Sequence, residues 1–482
     1  MENSKAGNRK TIKDIVRVSL SNIIKLLAGI LVGFLLPKIV GVNDYGYYKT
    51  FTLYATYVGM FHFGFSDGIY LQYGGKAYDE LERTSFRFYS RFLIALELVI
   101  SIVLAIISLV TLSGEYRFVF VCLSFFLVAN NVTGYYQVIS QITSRFGELS
   151  SRNIIQSILI SLAVVGLWLV TKFSHQTITY REFTVIYVLI FLALAVWYVW
   201  TYREITVGKA VENRLVWRDV PKFIKLGFPL MIANLCSSLI LTLDRQFVNI
   251  LFDNETYAVY AFAYNMLSLI TTAMAAISTV LYPKLKQTDE EVLKKSYSKL
   301  IAAILCMVFA CMVIYYPLCA FVSWFLPKYI DSLIIFRVIF PGLAISSAIT
   351  IIMHNYYKTL GATFNYFIKS IVILVVSGVF NYAAYAIFKT TVSISVASII
   401  TMLIWYVYVE HFFIRQFNVK WVRNFLYMVI LMAGFYGITL LDNQIISCVL
   451  YVALYVTVTI AFYREYAEKF LDIVKRKLHL KK

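Results

Sequence analysis

The sequence predicts an all-α, polytopic membrane protein with about 14 transmembrane helices. Of the 482 residues, 60% are hydrophobic and 15% are charged, whereas a soluble domain averages about 45–50% apolar and about 25% charged residues. The apolar residues form runs of roughly 20 residues, the length that a helix needs to cross a bilayer. The Lys and Arg residues concentrate in alternate loops between these runs, as they do in membrane proteins.

The apolar runs divide into two groups of six and a final pair, which predicts two six-helix lobes and a C-terminal helix pair. We expect an N-terminal lobe at 1–202, a cytoplasmic linker at 203–222, a C-terminal lobe at 223–414, and the last two spans with a basic cytoplasmic tail at 415–482. The approximate limits of the 14 predicted spans are 14–37, 47–73, 89–112, 117–141, 150–171, 181–202, 223–251, 256–283, 299–325, 333–357, 363–388, 391–414, 422–441 and 444–463.

The distribution of basic residues predicts the orientation. With both termini in the cytoplasm, 34 of the 44 Lys and Arg residues lie inside, eight lie outside, and Lys25 and Arg245 lie within spans. This excess of positive charge inside is typical of membrane proteins. Basic loops beside an anionic lipid surface also account for the net charge of +18. Since no soluble basic domain remains, nucleic acid is not an expected partner.

Charged residues occur inside the first two spans. Lys25 shares one face of the first span with Ser21, Gly29 and Gly33, which recur every four residues. Asp67 lies towards the end of the second span. An ionised group at this depth costs free energy and marks either a functional cavity or a structural ion pair. Both interpretations stay open: Lys25 and Asp67 line a cavity, or they neutralise each other.

Polar stripes at helical spacing predict spans that line a water-filled cavity. One stripe follows the seventh span, and others follow the tenth and the fourth, where Asn130, Thr133, Gln137 and Gln141 share a face. Plain helix packing is the alternative for such stripes, and a lysine near the inner interface can extend its amine to water. Glu97, in the middle of the third span, has no assigned partner. The candidate substrate-binding residues of the cavity are Lys25, Asp67, Asn234, Arg245, Asn249, His354 and Lys358.

Catalytic, metal and cofactor sites are not expected. The sequence has no Gly-Lys-Ser/Thr loop of the kind that cradles nucleotide phosphates. Its six cysteines all lie in apolar runs, without Cys-x-x-Cys or Cys/His spacing. The predicted outer loops are short, and the first contains only Asp44 as an acidic residue. Membrane glycosyltransferases and polymerases usually hold their catalytic groups in a larger outer loop, so this pattern argues against an enzyme.

A short aromatic turn recurs in the chain. Asp44–Tyr48 has a counterpart in Thr256–Tyr260, 212 residues later, and each turn follows a span that contains a cation. Two groups of six spans with matching turns predict parallel structural repeats.

The motif around the first turn resembles that of a known family. Leu36-Pro37-Lys38-Ile39-Val40-Gly41-Val42-Asn43-Asp44-Tyr45-Gly46-Tyr47-Tyr48 is similar to the first-loop signature of Wzx-type polysaccharide flippases. These belong to the multidrug/oligosaccharidyl-lipid/polysaccharide exporter superfamily. Phe63–Gly68 resembles the end of that family's second helix, and Leu243-Asp244-Arg245 resembles the start of its second lobe. The sequence departs from the pattern at Ala258, the counterpart of Gly46, and at Lys25, where related flippases often have arginine. Lysine binds phosphate as a point charge and not as a bidentate fork.

The resemblance implies a flippase of the bacterial cytoplasmic (inner) membrane that works by alternating access. Its expected substrate is an undecaprenyl-pyrophosphate-linked oligosaccharide for O-antigen, capsule or exopolysaccharide, with Lys25 and Arg245 near the pyrophosphate. Membrane lipid, a proton or sodium ion and a polysaccharide polymerase are the other candidate partners. The alternatives are a lipid II flippase, a cation-coupled multidrug exporter of the same superfamily and, as the enzyme class, a membrane glycan polymerase.

Overall fold

The computed structural model describes residues 2–174, 176–210, 217–286 and 288–479. Within these ranges the chain consists of helices joined by turns and contains no strand, so the predicted all-α class is confirmed. The chain forms two compact units, Met1–Ala261 and Phe262–Lys482. The predicted lobe limits and the linker at 203–222 stay predictions, and residues 211–216 of that linker lie outside the described ranges.

The first unit contains nine helices of the described chain and the beginning of a tenth. They are α1 Glu2–Ile39, α2 Val42–Val58, α3 Phe65–Tyr73, α4 Arg83–Thr111, α5 Gly114–Ile142, α6 Phe146–Ser174, α7 Tyr180–Thr201, α8 Asp219–Ile240, α9 Leu243–Leu251 and α10 Asn254–Lys286.

The second unit contains the rest of α10 and the helices that follow it. They are α11 Glu290–Cys311, α12 Tyr315–Phe325, α13 Ser332–Ile339, α14 Gly342–Ser347, α15 His354–Thr359, α16 Thr363–Phe388, α17 Thr391–Phe417, α18 Val422–Ile438 and α19 Gln444–His479. A π-helical turn at Ala348–Met353 joins α14 to α15, and α19 is kinked at Tyr463.

Ten helices in the described ranges are long and apolar enough to cross a membrane. A pair bent by 46°, Ser332–Ile339 with Gly342–Thr359, could form one more span. All 14 predicted spans lie on helices, but several are broken, bent or short, and α18 has only 17 residues. The polytopic class is therefore confirmed, while a count from hydropathy alone conceals the breaks.

The predicted second span at 47–73 is not one continuous helix. It breaks between α2 and α3, where Phe63 and Gly64 have φ angles of 51° and 82°. A right-handed helix cannot continue through two residues of this conformation, and glycine adopts it at the lowest cost. The amide nitrogen of Gly64 donates to Nδ1 of His62 at 3.0 Å, which fixes the break. Hydropathy could not show this break because its residues are apolar or small.

The helix after the break packs closely against α8 through glycines. A Cβ atom added to Gly68 would lie 2.1 Å from the carbonyl oxygen of Phe223, and one added to Gly227 would lie 2.0 Å from that of Gly64. Real Cβ atoms do not approach backbone this closely, so only glycine permits this contact. The motif Phe63–Gly68 thus has a structural reason: it brings α3 against α8.

We expect Gly68→Ala to destabilise the first unit, because its Cβ atom would overlap the backbone of Phe223. Overpacking of this kind typically costs about 1–3 kcal/mol. Thermal unfolding of the purified protein and its abundance in membranes measure the loss. Gly166→Ala is the matched control, since nothing lies within 4 Å of its added Cβ atom. Equal stability of the two variants would contradict the close packing.

An aromatic core holds α8 in the first unit. Tyr89 donates from its hydroxyl to Oδ2 of Asp219 at 2.7 Å, at the start of α8. Its ring contacts the buried ring of Phe223 edge-on, with centroids 5.1 Å apart. Phe65 on α3 joins the same cluster. These contacts explain why α8 belongs to the first compact unit although it follows the predicted linker.

Candidate functional site

A row of hydrogen bonds joins α2 to α9 and to the first turn of α10, and we call it the polar ladder. It has five steps along α2, and the partner residues all lie on the chain segment 242–257. The steps are Asn254 Nδ2 to the carbonyl oxygen of Asn43 (2.6 Å), Tyr257 hydroxyl to the carbonyl oxygen of Lys49 (3.1 Å), Asn249 Nδ2 to Thr50 Oγ1 (2.8 Å), Gln246 Nε2 to the Tyr54 hydroxyl (2.6 Å), and Tyr57 hydroxyl with Thr242 Oγ1 (2.8 Å).

The polar ladder depends on a close approach of two backbones. A Cβ atom added to Gly46 would lie 2.5 Å from the carbonyl oxygen of Asn254, so glycine is needed in the first turns of α2. Tyr257 and Tyr260, the residues of the repeated aromatic turn, are buried beside this contact. Tyr260 donates to Oδ2 of Asp244 at 2.8 Å. The two repeated turns therefore meet within the first unit.

The steps of the polar ladder are bonds between neutral groups. A neutral hydrogen bond contributes about 0.5–1.5 kcal/mol net to the state that contains it. Five such bonds add up to a few kcal/mol, which is the range over which a bound ligand can shift a conformational equilibrium. The polar ladder therefore contributes a few kcal/mol to the state that contains it.

Arg245 and Asn249 lie beside each other on the segment that forms the polar ladder. Asn249 is buried and makes one of the five steps. Arg245 is half-buried and donates from Nη2 to the carbonyl oxygen of Leu241 at 3.1 Å, at the break between α8 and α9. The predicted seventh span is therefore two helices, and Arg245 helps to satisfy the end of the first.

Lys25, Asp67 and Asn234 are the other candidates in the first unit. α1 packs along α6, and the Lys25 side chain lies on the exposed side of α1. Asn234 is also exposed. Asp67 is mostly buried, with its Oδ2 3.8 Å from Nε2 of His62. Within the described residues Lys25 takes part in no ion pair, so a Lys25–Asp67 pair does not form here. Their roles in a cavity stay predictions.

His354 and Lys358 lie in the second unit, at the π-helical turn and the helix after it. The buried imidazole of His354 stacks on the ring of Tyr366, with centroids 4.5 Å apart and an interplanar angle of 14°. Lys358 is half-buried one turn further on. His354 thus packs as an aromatic residue, and the part of both residues in substrate binding stays a prediction.

Most of the polar ladder and the partner of Glu97 were not predicted from the sequence. Tyr54 and Tyr57 were not among the candidate residues, although their spacing places both on one side of a helix. Asn131 was outside the predicted stripe of the fourth span, yet its amide donates to the Glu97 carboxylate at 2.7 Å. The sequence did contain an indication for the α2 tyrosines and for Asn131. Polar groups in the middle of an apolar helix need hydrogen-bond partners when they are buried.

A polytopic helical protein with spans broken at mid-length, and with polar side chains beside the breaks, has the architecture of secondary transporters. The sequence profile of the polysaccharide biosynthesis protein family matches residues 11–289. The chain belongs to that family. No curated protein sequence matches it.

Solved structures share the fold. The lipid II flippase MurJ, in an inward closed conformation, is similar with a TM-score of 0.68 and 15% identity, over 94% of this chain and 99% of that one. A multidrug resistance MATE family transporter of the MOP superfamily, in an inward-facing conformation, gives a TM-score of 0.59 at 14% identity, over 84% and 99% of the two chains. A MOP superfamily transporter from Pyrococcus furiosus gives 0.53 at 14% identity, over 85% and 97%. These similarities confirm the predicted fold class.

Proposed function

We propose that this protein is a flippase of the bacterial cytoplasmic membrane that translocates undecaprenyl-pyrophosphate-linked oligosaccharide for surface polysaccharide assembly. The chain's membership of the polysaccharide biosynthesis protein family supports a role in surface polysaccharide assembly. The polar ladder supports the mechanism. With the N terminus inside, α1 ends at the outer surface, so the ladder begins there at Asn43 and continues inward along α2.

In this proposal the polar ladder closes the outer side of the transport path. Substrate binding from the inner leaflet favours an arrangement in which the ladder opens, and the glycan leaves outside. Lys25 and Arg245 offer cations to the pyrophosphate, since charge-assisted hydrogen bonds to phosphate are stronger than neutral ones. Closure of the ladder after release returns the protein to the inward-open state.

Lipid II translocation is the second candidate function. It is favoured by the similarity to MurJ, which extends over 94% of this chain. The solved structures with this fold are transporters and flippases, which agrees with transport and not with an enzyme.

The test is deletion of the gene, followed by analysis of glycolipids and surface polysaccharide. We expect surface polysaccharide to disappear while lipid-linked oligosaccharide accumulates on the inner leaflet, where an added glycosidase reaches it only after cell lysis. Loss of peptidoglycan synthesis instead would favour the lipid II candidate. Extension or transfer of glycan by the purified chain in detergent would contradict transport.

The proposed topology can be tested by cysteine labelling in a background without the six native cysteines. Lys209 lies in the predicted linker and Gln444 is the first residue of α19, and both are exposed. We expect a membrane-impermeant thiol reagent to label Gln444→Cys in intact cells, and Lys209→Cys only after permeabilisation. Lys209 suits this test better than Gly208, whose added Cβ atom would lie 2.9 Å from Arg87. Labelling of Lys209→Cys in intact cells would contradict the proposed orientation, because it would place the linker outside the cell.

A further inference from the structure

A carboxyl group is enclosed at the centre of the first unit. Glu97 is the middle residue of α4, fourteen positions from Arg83 and fourteen from Thr111, and its exposed fraction is 0%. Its Oε2 accepts a hydrogen bond from Asn131 Nδ2 at 2.7 Å. Its Oε1 has no hydrogen-bond partner among the described residues. A buried acid that is only half satisfied needs an explanation.

No cation compensates this carboxyl group within the described ranges. Its helix packs against α5 and the short helix Arg203–Ile205, and Asn131 connects it to α2. Glu204 pairs with Arg83 at 3.2 Å, and His62 faces Asp67 at 3.8 Å. Tyrosines apart, α5 contains the ionisable residues Glu115, Arg117 and Cys122, and the short helix contains Arg203 and Glu204. Those of α2 are Asp44 and Lys49. His62 lies in the break after α2, and Asp67 lies in the first turn of α3.

The Asn131 amide connects Glu97 to the break after α2. The same Nδ2 atom donates to the carbonyl oxygen of Val58 at 2.9 Å, and Val58 is the last residue of α2. Carbonyl groups at the end of a helix need donors from beyond the helix, and Val58 accepts a second, longer bond from the amide nitrogen of Phe61 at 3.3 Å. One amide therefore holds both the carboxyl group and the end of the helix whose other turns form the polar ladder.

We propose that Glu97 is a proton-binding site that couples the transport cycle to a proton gradient. The ligand is a single proton, which the carboxylate takes up to become a neutral acid and later releases to water. An ionised carboxylate would bind the Asn131 amide with a charge-assisted bond, roughly twice as strong as the bond to the neutral acid. It would also require water or a cation at Oε1, because an uncompensated buried charge is costly. The enclosed arrangement seen here is therefore that of the neutral acid.

Ionisation of Glu97 requires the surroundings of Oε1 to open. The Asn131 amide then moves with the carboxylate or releases Val58, and either change displaces the end of α2. Because α2 is one rigid helix from Val42 to Val58, this displacement reaches the polar ladder. The residues at the break, Phe63 and Gly64, already have a non-helical backbone and can absorb the change.

Glu410 in the second unit provides a matched comparison. It is also 0% exposed, and its Oε2 accepts a hydrogen bond from the Tyr297 hydroxyl at 2.5 Å. Its donor lies in an aromatic cluster with Phe413 and is not bonded to the end of a broken helix. Burial and a single donor are thus common to both acids, and only Glu97 is connected to a break.

The direct test is infrared difference spectroscopy of the full-length protein in liposomes, with the bulk pH changed stepwise. We expect the carbonyl band of a protonated carboxylic acid that disappears as the pH rises. Glu97→Gln should remove this band and Glu410→Gln should retain it. Asn131→Ala should move the band to higher frequency, because the acid loses its hydrogen bond. A titrating band that survives in Glu97→Gln, or a Glu97 band that never changes with pH, would overturn the proposal.

The transport test rests on the proposed function, whereas the infrared test does not. Glu97→Gln replaces the neutral acid by an amide of the same shape that still accepts from Asn131, so membrane abundance should equal that of wild type. We expect surface polysaccharide to be lost in this variant and partly retained in Glu97→Asp. If Glu97→Gln is unstable, the Asn131→Ala frequency shift still decides the question. Export by a stable Glu97→Gln at the wild-type level would overturn the coupling role, while unchanged polysaccharide after gene deletion would overturn the proposed function alone.

Discussion

We expect export to stop when Asn43→Cys and Asn254→Cys are joined by a disulfide or by a short bis-thiol reagent. Export should resume after the disulfide is reduced or the reagent is cleaved. This is the expected result if the polar ladder must open for release. Asn254 Nδ2 lies 2.6 Å from both the carbonyl oxygen and Oδ1 of Asn43, so the two positions are close enough to be crosslinked. Surface polysaccharide is measured before and after reduction, in a background without the six native cysteines.

The matched control crosslinks two helices that need not separate. Glu115 and Arg181 join α5 to α7 by an ion pair at 2.6 Å, near the helix ends on the same side of the first unit. A crosslink between Glu115→Cys and Arg181→Cys should leave export unchanged. Loss of export with both crosslinks would show only that crosslinking harms the protein, and full export with the Asn43–Asn254 crosslink would contradict an opening ladder.

The sequence was sufficient for the fold class because hydropathy and charge act over whole helices. The predicted spans 89–112 and 391–414 correspond to the helices Arg83–Thr111 and Thr391–Phe417, with limits that differ by at most six residues. The breaks were not identified, because they depend on single residues. The left-handed backbone at Phe63 and Gly64 occurs beside the close packing of Gly68 and Gly227, and this packing is a feature of the tertiary structure.

Only part of the candidate site was predicted, because a sequence pattern describes one helix and not its neighbours. Asn249, one of the candidate residues of the predicted seventh span, belongs to the polar ladder. The partners on α2 could not be found, since no local pattern indicates which helix lies opposite. For Lys25 the sequence showed the depth along the helix but not the side, and the side chain proved to be exposed.

Lys25→Met is expected to abolish export while membrane abundance stays at the wild-type level or rises. A cation in the middle of a span costs about 2.5–3.5 kcal/mol on insertion scales, and in the described chain Lys25 has no ion-pair partner that would offset this cost. Its removal should therefore not destabilise the fold. Lys25→Arg should retain much of the export, because either cation can bind a pyrophosphate. Surface polysaccharide and membrane abundance are measured for each variant.

Lys25 offers a cleaner test of cation function than Arg245. Because Arg245 donates to the carbonyl oxygen of Leu241, its substitution changes the break between α8 and α9 as well as the charge. Lys389→Ala, at an exposed position outside the predicted cavity, serves as the control for loss of one positive charge and should export normally. A different result would be a Lys25→Met variant of lower membrane abundance, which the further change Asp67→Asn restores. That result would indicate that Lys25 and Asp67 form an ion pair in another state of the protein. Normal export by a stable Lys25→Met variant would show that Lys25 is not needed for substrate binding.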